Sequence, residues 1–214
     1  PYLRQLIELD GEVGTAEITI CGLGFFELYV NGTRASGELF TPVTSDYCKR
    51  EFTVCGAPFI EQLRHRTYFV RYDIAELLTP GPNALCVALA PGWFGQPTWV
   101  RLAFHLDVRM ADGTQLSFES GPVHTRWAPG PVVEYDLFTG ERHDLRLSHD
   151  GWLEPGYAAD EFVPTRALPD LDTRYQLQDC PADAVIRHIR PRRVATHDGC
   201  TVYDAGENIS GTPV

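Results

Sequence analysis

Acidic side chains are concentrated in one short stretch, where Glu134 and Asp136 precede Glu141. Two carboxylates can hydrolyse a glycosidic bond when one acts as an acid and the other as a base or a nucleophile. Carboxylates also bind calcium and accept hydrogen bonds from sugar hydroxyls. A plainer interpretation is a polar turn between two strands, in which Arg142 pairs with a neighbouring acid. These residue types therefore leave a catalytic pair, a sugar or cation contact, and a solvated turn open.

The tryptophans suggest a second kind of chemistry, because each lies near glycine or proline and hence in a turn or at a strand end. They are Trp93, Trp99, Trp127 and Trp152. Flat aromatic faces stack on the apolar faces of sugar rings, so this placement suits a carbohydrate site. Large aromatic side chains also close the ends of a sandwich core, and the sequence leaves both roles open.

Several other chemistries lack their sequence patterns. The seven histidines are scattered, with no pair at helical zinc-binding spacing and no cysteine at metal spacing. No nucleophile elbow of the Gly-x-Ser-x-Gly type occurs, and no glycine-rich phosphate loop follows a strand. The sequence therefore predicts neither a zinc site nor a serine nucleophile.

The charge balance argues against nucleic acid as a partner. The chain has 214 residues, with 18 Lys and Arg against 29 Asp and Glu, for a net charge of −11. That average field repels a polyanion, and no basic stripe offsets it locally. There is also no apolar run long enough to span a bilayer, so we expect no membrane partner.

The elements that must position these residues are short strands. Apolar residues alternate along 101–119 around an Asp-Gly turn, which predicts a β-hairpin, and Asn31-Gly32 is typical of a tight turn with positive φ. Residues 83–89 are continuously apolar, as in a strand that is buried on both faces. A single helical turn is predicted at 73–78, where Asp73 can cap it, and another short helix is predicted at 57–66. Many short strands with regular turns predict an all-β sandwich.

The chain is predicted to contain one whole unit and the start of another. Residues 1–154 form the first β-sandwich, whereas 155–183 lose the strand period, collect prolines and are predicted to be a surface connector. New strands begin after the connector, so residues 184–214 are interpreted as a truncated start of a second sandwich. Some 30 residues are too few to bury a core of their own.

The cysteines give a weak indication of compartment. Cys21 and Cys86 lie inside apolar strand-like runs, where a thiol behaves as a small hydrophobe, and no Cys-x-x-Cys spacing occurs. Free thiols favour a reducing compartment, so a cytoplasmic location is expected. Secretion stays open, because a sequence that begins at Pro1 does not report on a signal peptide.

Taken in order, a set of short motifs resembles the amino-terminal β-domain of bacterial α-L-rhamnosidases. The motifs are GFFELYVNG (24–32), TSDYCKR (44–50), DIAELL (73–78), GPNAL (81–85), GWFG (92–95), YDLFTGE (135–141) with Asp144, Arg146 and Gly151-Trp152, and VYDAGENISG (202–211). The last resembles the opening of that family's next β-sandwich. Each motif alone is weak, but the collinear set spans nearly the whole chain and is specific.

This resemblance implies a jelly-roll or galactose-binding-domain-like sandwich from a glycosidase that removes terminal α-L-rhamnose with inversion. In that family the catalytic carboxylates lie in a later helical barrel, so this chain is expected to be inactive alone and to have that barrel as a partner. The whole glycosidase, of which this chain would be one part, would bind rhamnosides as its substrates. The alternatives are a rhamnose-binding module and a purely structural sandwich.

The resemblance assigns no catalytic residue and no metal ligand to this chain, and no cofactor is expected, although calcium assists sugar binding in some relatives. The residues that we expect to make any sugar contact are Asp46, Tyr47, Trp93, Glu134, Asp136, Glu141 and Trp152.

Overall fold

The computed structural model describes residues 1–47, 65–94, 100–136 and 138–211. The chain divides into two compact units, Pro1–Asp183 and Ala184–Val214. The helix predicted at 57–66 lies almost wholly outside the described residues, as do Cys48, Cys55 and Trp99. No helix within the described ranges is long and apolar enough to cross a membrane.

Strands make up most of the regular structure of the first unit, with short 3-10 turns at Ala75–Leu77, Gly92–Phe94 and Leu145–Leu147. In chain order the strands are β1 (Tyr2–Leu9), β2 (Val13–Leu23), β3 (Phe25–Val30), β4 (Thr33–Arg34), β5 (Glu38–Leu39), β6 (Arg66–Asp73), β7 (Gly81–Ala90), β8 (Arg101–Met110), β9 (Gln115–Glu119), β10 (Arg126–Ala128), β11 (Val132–Asp136), β12 (Gly140–His143), β13 (Val163–Pro164) and β14 (Arg174–Leu177). The short β15 (Asp183–Ala184) lies at the boundary between the units.

Two sheets form the sandwich. The first has the strand order β13-β10-β1-β7-β3-β4, and the second has the order β14-β6-β2-β8-β9. Neighbouring strands are antiparallel, except that β14 runs parallel to β6. The prediction of an all-β sandwich is confirmed.

The core between the sheets follows from the alternation in the sequence. On β8, Phe104, Leu106, Val108 and Met110 are buried, whereas the residues between them face outward. Each fully buried apolar side chain of this kind contributes about 1.5–3 kcal/mol. Strand β9 pairs antiparallel with β8, so the hairpin predicted for 101–119 is confirmed.

Strand β7 is buried on both faces, as its continuous apolar run predicts. Leu85 and Val87 pack in the core between the sheets, whereas Ala84 and Cys86 belong to a second apolar cluster with Trp152 and Phe162. We call residues 149–162, which supply both of those aromatic side chains, the strap. The strap covers the outer face of the first sheet and adds a third layer to the sandwich.

The strap is held by a buried cation. Arg4, on β1, is only 5% exposed. Its Nε donates to the carbonyl oxygen of Trp152 at 3.1 Å, and its Nη2 donates to those of Glu154 at 2.6 Å and Pro155 at 3.1 Å. The guanidinium group also lies 5.9 Å from the centre of the Tyr157 ring. A buried charge is stable only when its donors are satisfied, so Arg4 fixes where the strap runs.

The segment predicted to be a surface connector, 155–183, contributes to the sandwich. Phe162 is 1% exposed. Strand β13 pairs with β10 at the edge of the first sheet, and β14 pairs with β6 at the edge of the second. The structure therefore differs from the prediction. The prolines interrupted the strand period, but two short edge strands and one buried aromatic still fit between them.

The Asn31-Gly32 dipeptide forms the tight turn between β3 and β4. Asn31 and Gly32 have φ values of 49° and 81°, which confirms the prediction of positive φ. The Asn31 amide donates to the Leu77 carbonyl at 2.9 Å and to the Asn83 side chain at 2.7 Å. Asn83 is fully buried and donates in turn to the carbonyl oxygens of Thr79 and Gly81. The two asparagines thus link this turn to the start of β7.

The second unit contains the antiparallel hairpin of β16 (Arg192–His197) and β17 (Cys200–Asp204). Every residue of both strands is exposed, including Val194, Val202 and Tyr203. Outside the strands, Arg187 pairs with Glu207 at 2.5 Å. A hairpin with no covered face is at best marginally stable in water, so packing within this unit stabilises it little.

Replacing Arg4 with Met should destabilise the first unit by about 2–4 kcal/mol, because the strap carbonyls lose their donors. The measurement is urea unfolding of the chain followed by circular dichroism. Arg109→Met, at an exposed position on β8, is the matched control and should change stability by less than about 0.5 kcal/mol. Equal stability of the two variants would contradict the role given to Arg4.

Candidate functional site

The acidic stretch forms a separate hairpin. Strands β11 and β12 pair with each other in an antiparallel two-stranded sheet, with a register shift between Val132 and Glu134. At its base, the Asp144 amide donates to the Pro131 carbonyl at 2.8 Å. The predicted polar turn between two strands is therefore present.

Asp136 shapes the tip of this hairpin. Its carboxylate accepts hydrogen bonds from the amides of Phe138 at 2.8 Å and Thr139 at 2.7 Å. These bonds to the charged form hold the pKa of the Asp136 carboxyl below its usual range. Gly140 follows with φ of 99°, a conformation that side chains rarely adopt. The Asp136 carboxylate therefore stabilises the turn through these hydrogen bonds.

The other acids of the hairpin lie beside neighbouring basic side chains. Glu134 forms an ion pair with Arg142, and Glu141 lies 2.9 Å from Nε2 of His143. After the hairpin, Arg146 donates through Nε to Asp144 at 2.8 Å, and its bonds to the Asp144 carboxylate lower the pKa of that carboxyl. All of these groups are on the surface, where an ion pair contributes little to stability.

Trp93 meets the tip of the hairpin. Its ring centroid lies 5.7 Å from that of Phe138, and the ring planes are 81° apart, which is an edge-to-face contact. Trp93 remains 52% exposed and Phe138 82% exposed. We call Trp93 and the β11–β12 hairpin the hairpin surface. It brings four of the predicted residues, Trp93, Glu134, Asp136 and Glu141, onto one turn and one hairpin.

Local packing explains why Trp93 points outward. The preceding Gly92 has φ of 48°, and an added Cβ there would lie 3.0 Å from the Phe25 ring. The following Phe94 turns inward and packs edge to face on Tyr47, with centroids 5.2 Å apart. The tight turn Gly92–Phe94 therefore gives its two aromatic side chains opposite roles.

Tyr47 and Asp46 lie elsewhere. Tyr47 is 6% exposed and packs with Cys21 and Leu23, and burial raises the pKa of its hydroxyl. Asp46 is half-buried, and its backbone carbonyl accepts a hydrogen bond from the Arg66 amide at 2.9 Å. Tyr47 is therefore a buried packing residue beside Phe94 instead of an open contact for sugar.

Trp152 is also a packing residue. It is 9% exposed, and its ring stacks on Tyr2 at a centroid distance of 4.1 Å with the planes 6° apart. One face is therefore already covered by a ring, and the side chain belongs to the cluster under the strap. Stacking on a sugar is incompatible with this position.

Phe138 is the residue of the hairpin surface that the candidate set omits. It lies within the YDLFTGE motif, next to acids whose residue type is the more usual sugar ligand. The signal available was an apolar aromatic residue in a turn between two charged strands, where burial within the hairpin is not expected.

A second acidic group lies on the outer face of the second sheet. Glu17 is opposite Asp73 on one neighbouring strand and Asp107 on the other, in a surface cavity of about 430 Å³. Glu17 lies 3.6 Å from Arg71, and Asp107 lies 3.0 Å from His105. In the part of the chain that the structure describes, no group of three or more His, Cys, Asp or Glu residues is arranged to hold a metal ion.

Comparison with known proteins gives one consistent result. A family model described as the α-L-rhamnosidase N-terminal domain matches residues 11–55 and 53–188. An α-L-rhamnosidase of Formosa agariphila is 28% identical over 228 residues, covering 98% of this chain and 22% of the relative. One of Streptomyces avermitilis is 29% identical over 221 residues, covering 94% of this chain and 19% of the relative. The chain thus spans about a fifth of the length of these relatives.

Solved structures share the fold. The crystal structure of the Streptomyces avermitilis α-L-rhamnosidase complexed with L-rhamnose superposes with a TM-score of 0.82 at 29% identity, covering 97% of this chain and 20% of that one. The α-L-rhamnosidase of Aspergillus terreus gives a TM-score of 0.81 at 24% identity, covering 97% of this chain and 24% of that one. At 24% identity, the similarity to the Aspergillus terreus enzyme shows only that the fold is shared.

The lowered pKa of Asp136 predicts how the hairpin tip responds to pH. Because the charged form accepts the two amide bonds, they persist above the ordinary pKa of an aspartate and are lost as pH falls through the lowered pKa. Asp136→Ala should remove them at every pH. Hydrogen exchange of the Phe138 and Thr139 amides, followed by NMR, should accelerate in the variant. Asp112→Ala is the control, since Asp112 caps the Thr114 amide at another hairpin. Unchanged exchange at both tip amides in Asp136→Ala would refute this.

Proposed function

The chain belongs to the family of α-L-rhamnosidase N-terminal domains, and we propose that it is the non-catalytic amino-terminal part of a longer, inverting glycosidase that removes terminal α-L-rhamnose. In that role the sandwich is a scaffold beside the helical barrel that carries the chemistry. The observation that carries the proposal is the family match over residues 11–188, in a chain that spans about a fifth of its relatives.

The carboxyl groups support a non-catalytic role. A glycosidase needs one carboxylic acid whose pKa is raised, so that it is protonated when it meets the leaving oxygen. Asp136 and Asp144 have the opposite shift, because hydrogen bonds hold each in its charged form. Glu134 and Glu141 are on the same hairpin and pair with Arg142 and His143. Their geometry suits a charged surface better than an acid–base pair.

The second unit fits the same proposal. Its hairpin, β16 and β17, exposes every one of its residues. We interpret residues 184–214 as the first strands of a further β-sandwich, which later residues of a longer protein would complete. In that sandwich Val194, Val202 and Tyr203 would become buried.

A direct comparison of activities tests the main proposal. The longer protein should release p-nitrophenol from p-nitrophenyl α-L-rhamnoside, whereas the chain of residues 1–214 should release none. Circular dichroism of the short chain shows whether it is folded, so that its inactivity is not a result of unfolding. Hydrolysis by the folded short chain would show that the catalytic residues lie within residues 1–214 and would contradict the non-catalytic role. An inactive longer protein would remove the glycosidase assignment.

A second candidate function is rhamnose binding, which the exposed pair of Trp93 and Phe138 favours. Isothermal titration calorimetry of the short chain with millimolar L-rhamnose, with and without calcium, measures it. A binding module should release heat that Trp93→Ala abolishes and that Trp127→Ala, at another exposed tryptophan, leaves unchanged. No heat under either condition would exclude this candidate, and it is the result that the scaffold role predicts.

A further inference from the structure

In the part of the first unit that the structure describes, neither side of the β11–β12 hairpin is covered. All but one of the described residues in its strands are exposed, the exception being the half-buried Tyr135. A two-stranded hairpin with solvent on both faces is at best marginally stable, and packing against a further element stabilises it. In the described part of the unit, the ring contact that its tip makes is with Trp93.

Exposed apolar side chains lie at both ends of the hairpin. At the base, Val132 is 44% exposed, Val133 is 40% exposed and Leu145, in the turn after β12, is 74% exposed. At the tip, Phe138 is 82% exposed beside Trp93. Base and tip are separated by about 20 Å at the usual rise of a strand. Exposed apolar groups that are grouped in this way mark contact surfaces.

A macromolecular surface fits this hairpin better than a sugar does. Sugar recognition needs polar groups that can bind hydroxyls as well as aromatic faces. Here Asp136 is occupied by two backbone amides, Glu134 by Arg142, and Glu141 by His143. The apolar side chains at the base also lie outside the reach of one ring stacked on Trp93.

The relatives indicate what covers the hairpin. Proteins that match this chain over nearly all its length have about four fifths of their own length outside the matched part. Residues joined covalently to this unit have a high effective concentration, so even a modest apolar surface is enough to dock them. Contacts between domains of one chain bury surfaces that are more polar than obligate interfaces, and this mixed charged and apolar hairpin has that character.

We propose that the β11–β12 hairpin with Trp93 is the surface by which this unit docks on the remainder of its own, longer polypeptide. This rests on the proposed function, and it names the partner of the hairpin surface. The docked partner covers Phe138 and Trp93 at the tip together with Val132, Val133 and Leu145 at the base. The ion pairs of the hairpin then lie at the rim of the contact.

Hydrogen exchange with mass spectrometry, applied to the longer protein and to the chain of residues 1–214, tests the proposal. Peptides from 132–145 should exchange at least roughly tenfold more slowly in the longer protein. The β8–β9 turn at 111–114, an exposed hairpin tip in the same unit, is the internal control and should exchange equally in both. Equal exchange of 132–145 in the two proteins would overturn the proposal.

Two variants of the longer protein sharpen the test. Phe138→Ala should abolish most of the protection over 132–145, whereas Val123→Ala, at a valine that is 81% exposed in a different loop, should leave it intact. Identical protection in both variants would overturn the proposal. So would protection in the short chain on addition of L-rhamnose, or on raising its own concentration, because the occupant would then be sugar or a second copy.

The activity of the same longer protein separates the two proposals. If it hydrolyses the rhamnoside but its hairpin exchanges as in the short chain, the docking proposal fails while the scaffold role stands. If it is inactive, the proposed function fails whatever the hairpin does.

Discussion

A buried guanidinium group determines how the first unit is assembled. Arg4 enters the structure on β1, yet its hydrogen-bond partners are the carbonyl oxygens of Trp152, Glu154 and Pro155. Because the strap covers the guanidinium group and removes it from water, these three carbonyl oxygens must replace its lost hydration, and without them its burial would cost several kcal/mol. The strap in turn covers Ala84 and Cys86, whose small side chains leave room for Trp152 above them. The Arg4 guanidinium group therefore holds the strap as a third layer on the two-sheet sandwich.

The same constraint extends to the hairpin surface. His149, at the start of the strap, lies 2.9 Å through Nδ1 from Glu161, at the strap's other end, and 2.9 Å through Nε2 from the Pro129 carbonyl, just before β11. Glu161 also accepts a hydrogen bond from Tyr157, and this bond raises the pKa of the tyrosine to about 12. The strap is thus closed on itself and tied to the chain that enters the hairpin. A surface for docking or binding needs such a rigid base.

The parts of the fold that depend on near neighbours were predictable from the sequence. The alternation along β8 and the Asn31-Gly32 turn rest on residues within a few positions of each other. Arg4 could not be interpreted in this way, because its partners lie about 150 residues further along the chain. Trp152 was ambiguous for the same reason, since its neighbour Gly151 fits a surface turn as well as a buried stack on Tyr2.

The candidate site shows the same limit. The sequence located Glu134, Asp136 and Glu141 correctly in a polar turn, but composition alone does not show that each acid already has a partner. It also did not indicate that Trp93 meets Phe138, because that contact joins two turns about 45 residues apart. The acids therefore looked like ligands for sugar, whereas in the structure they shape the hairpin and leave its aromatic and aliphatic side chains exposed.

Arg4 holds the strap as a structural layer of the first unit. Native-state hydrogen exchange of the 1–214 chain, followed by NMR, tests it most directly. The amides of Trp152 and Phe162, which donate within the strap, should open with the same free energy as those of β1 and β7, because one cooperative unit unfolds as a whole. Strap amides that exchange freely while β1 and β7 stay protected would show a loosely attached segment and contradict the claim.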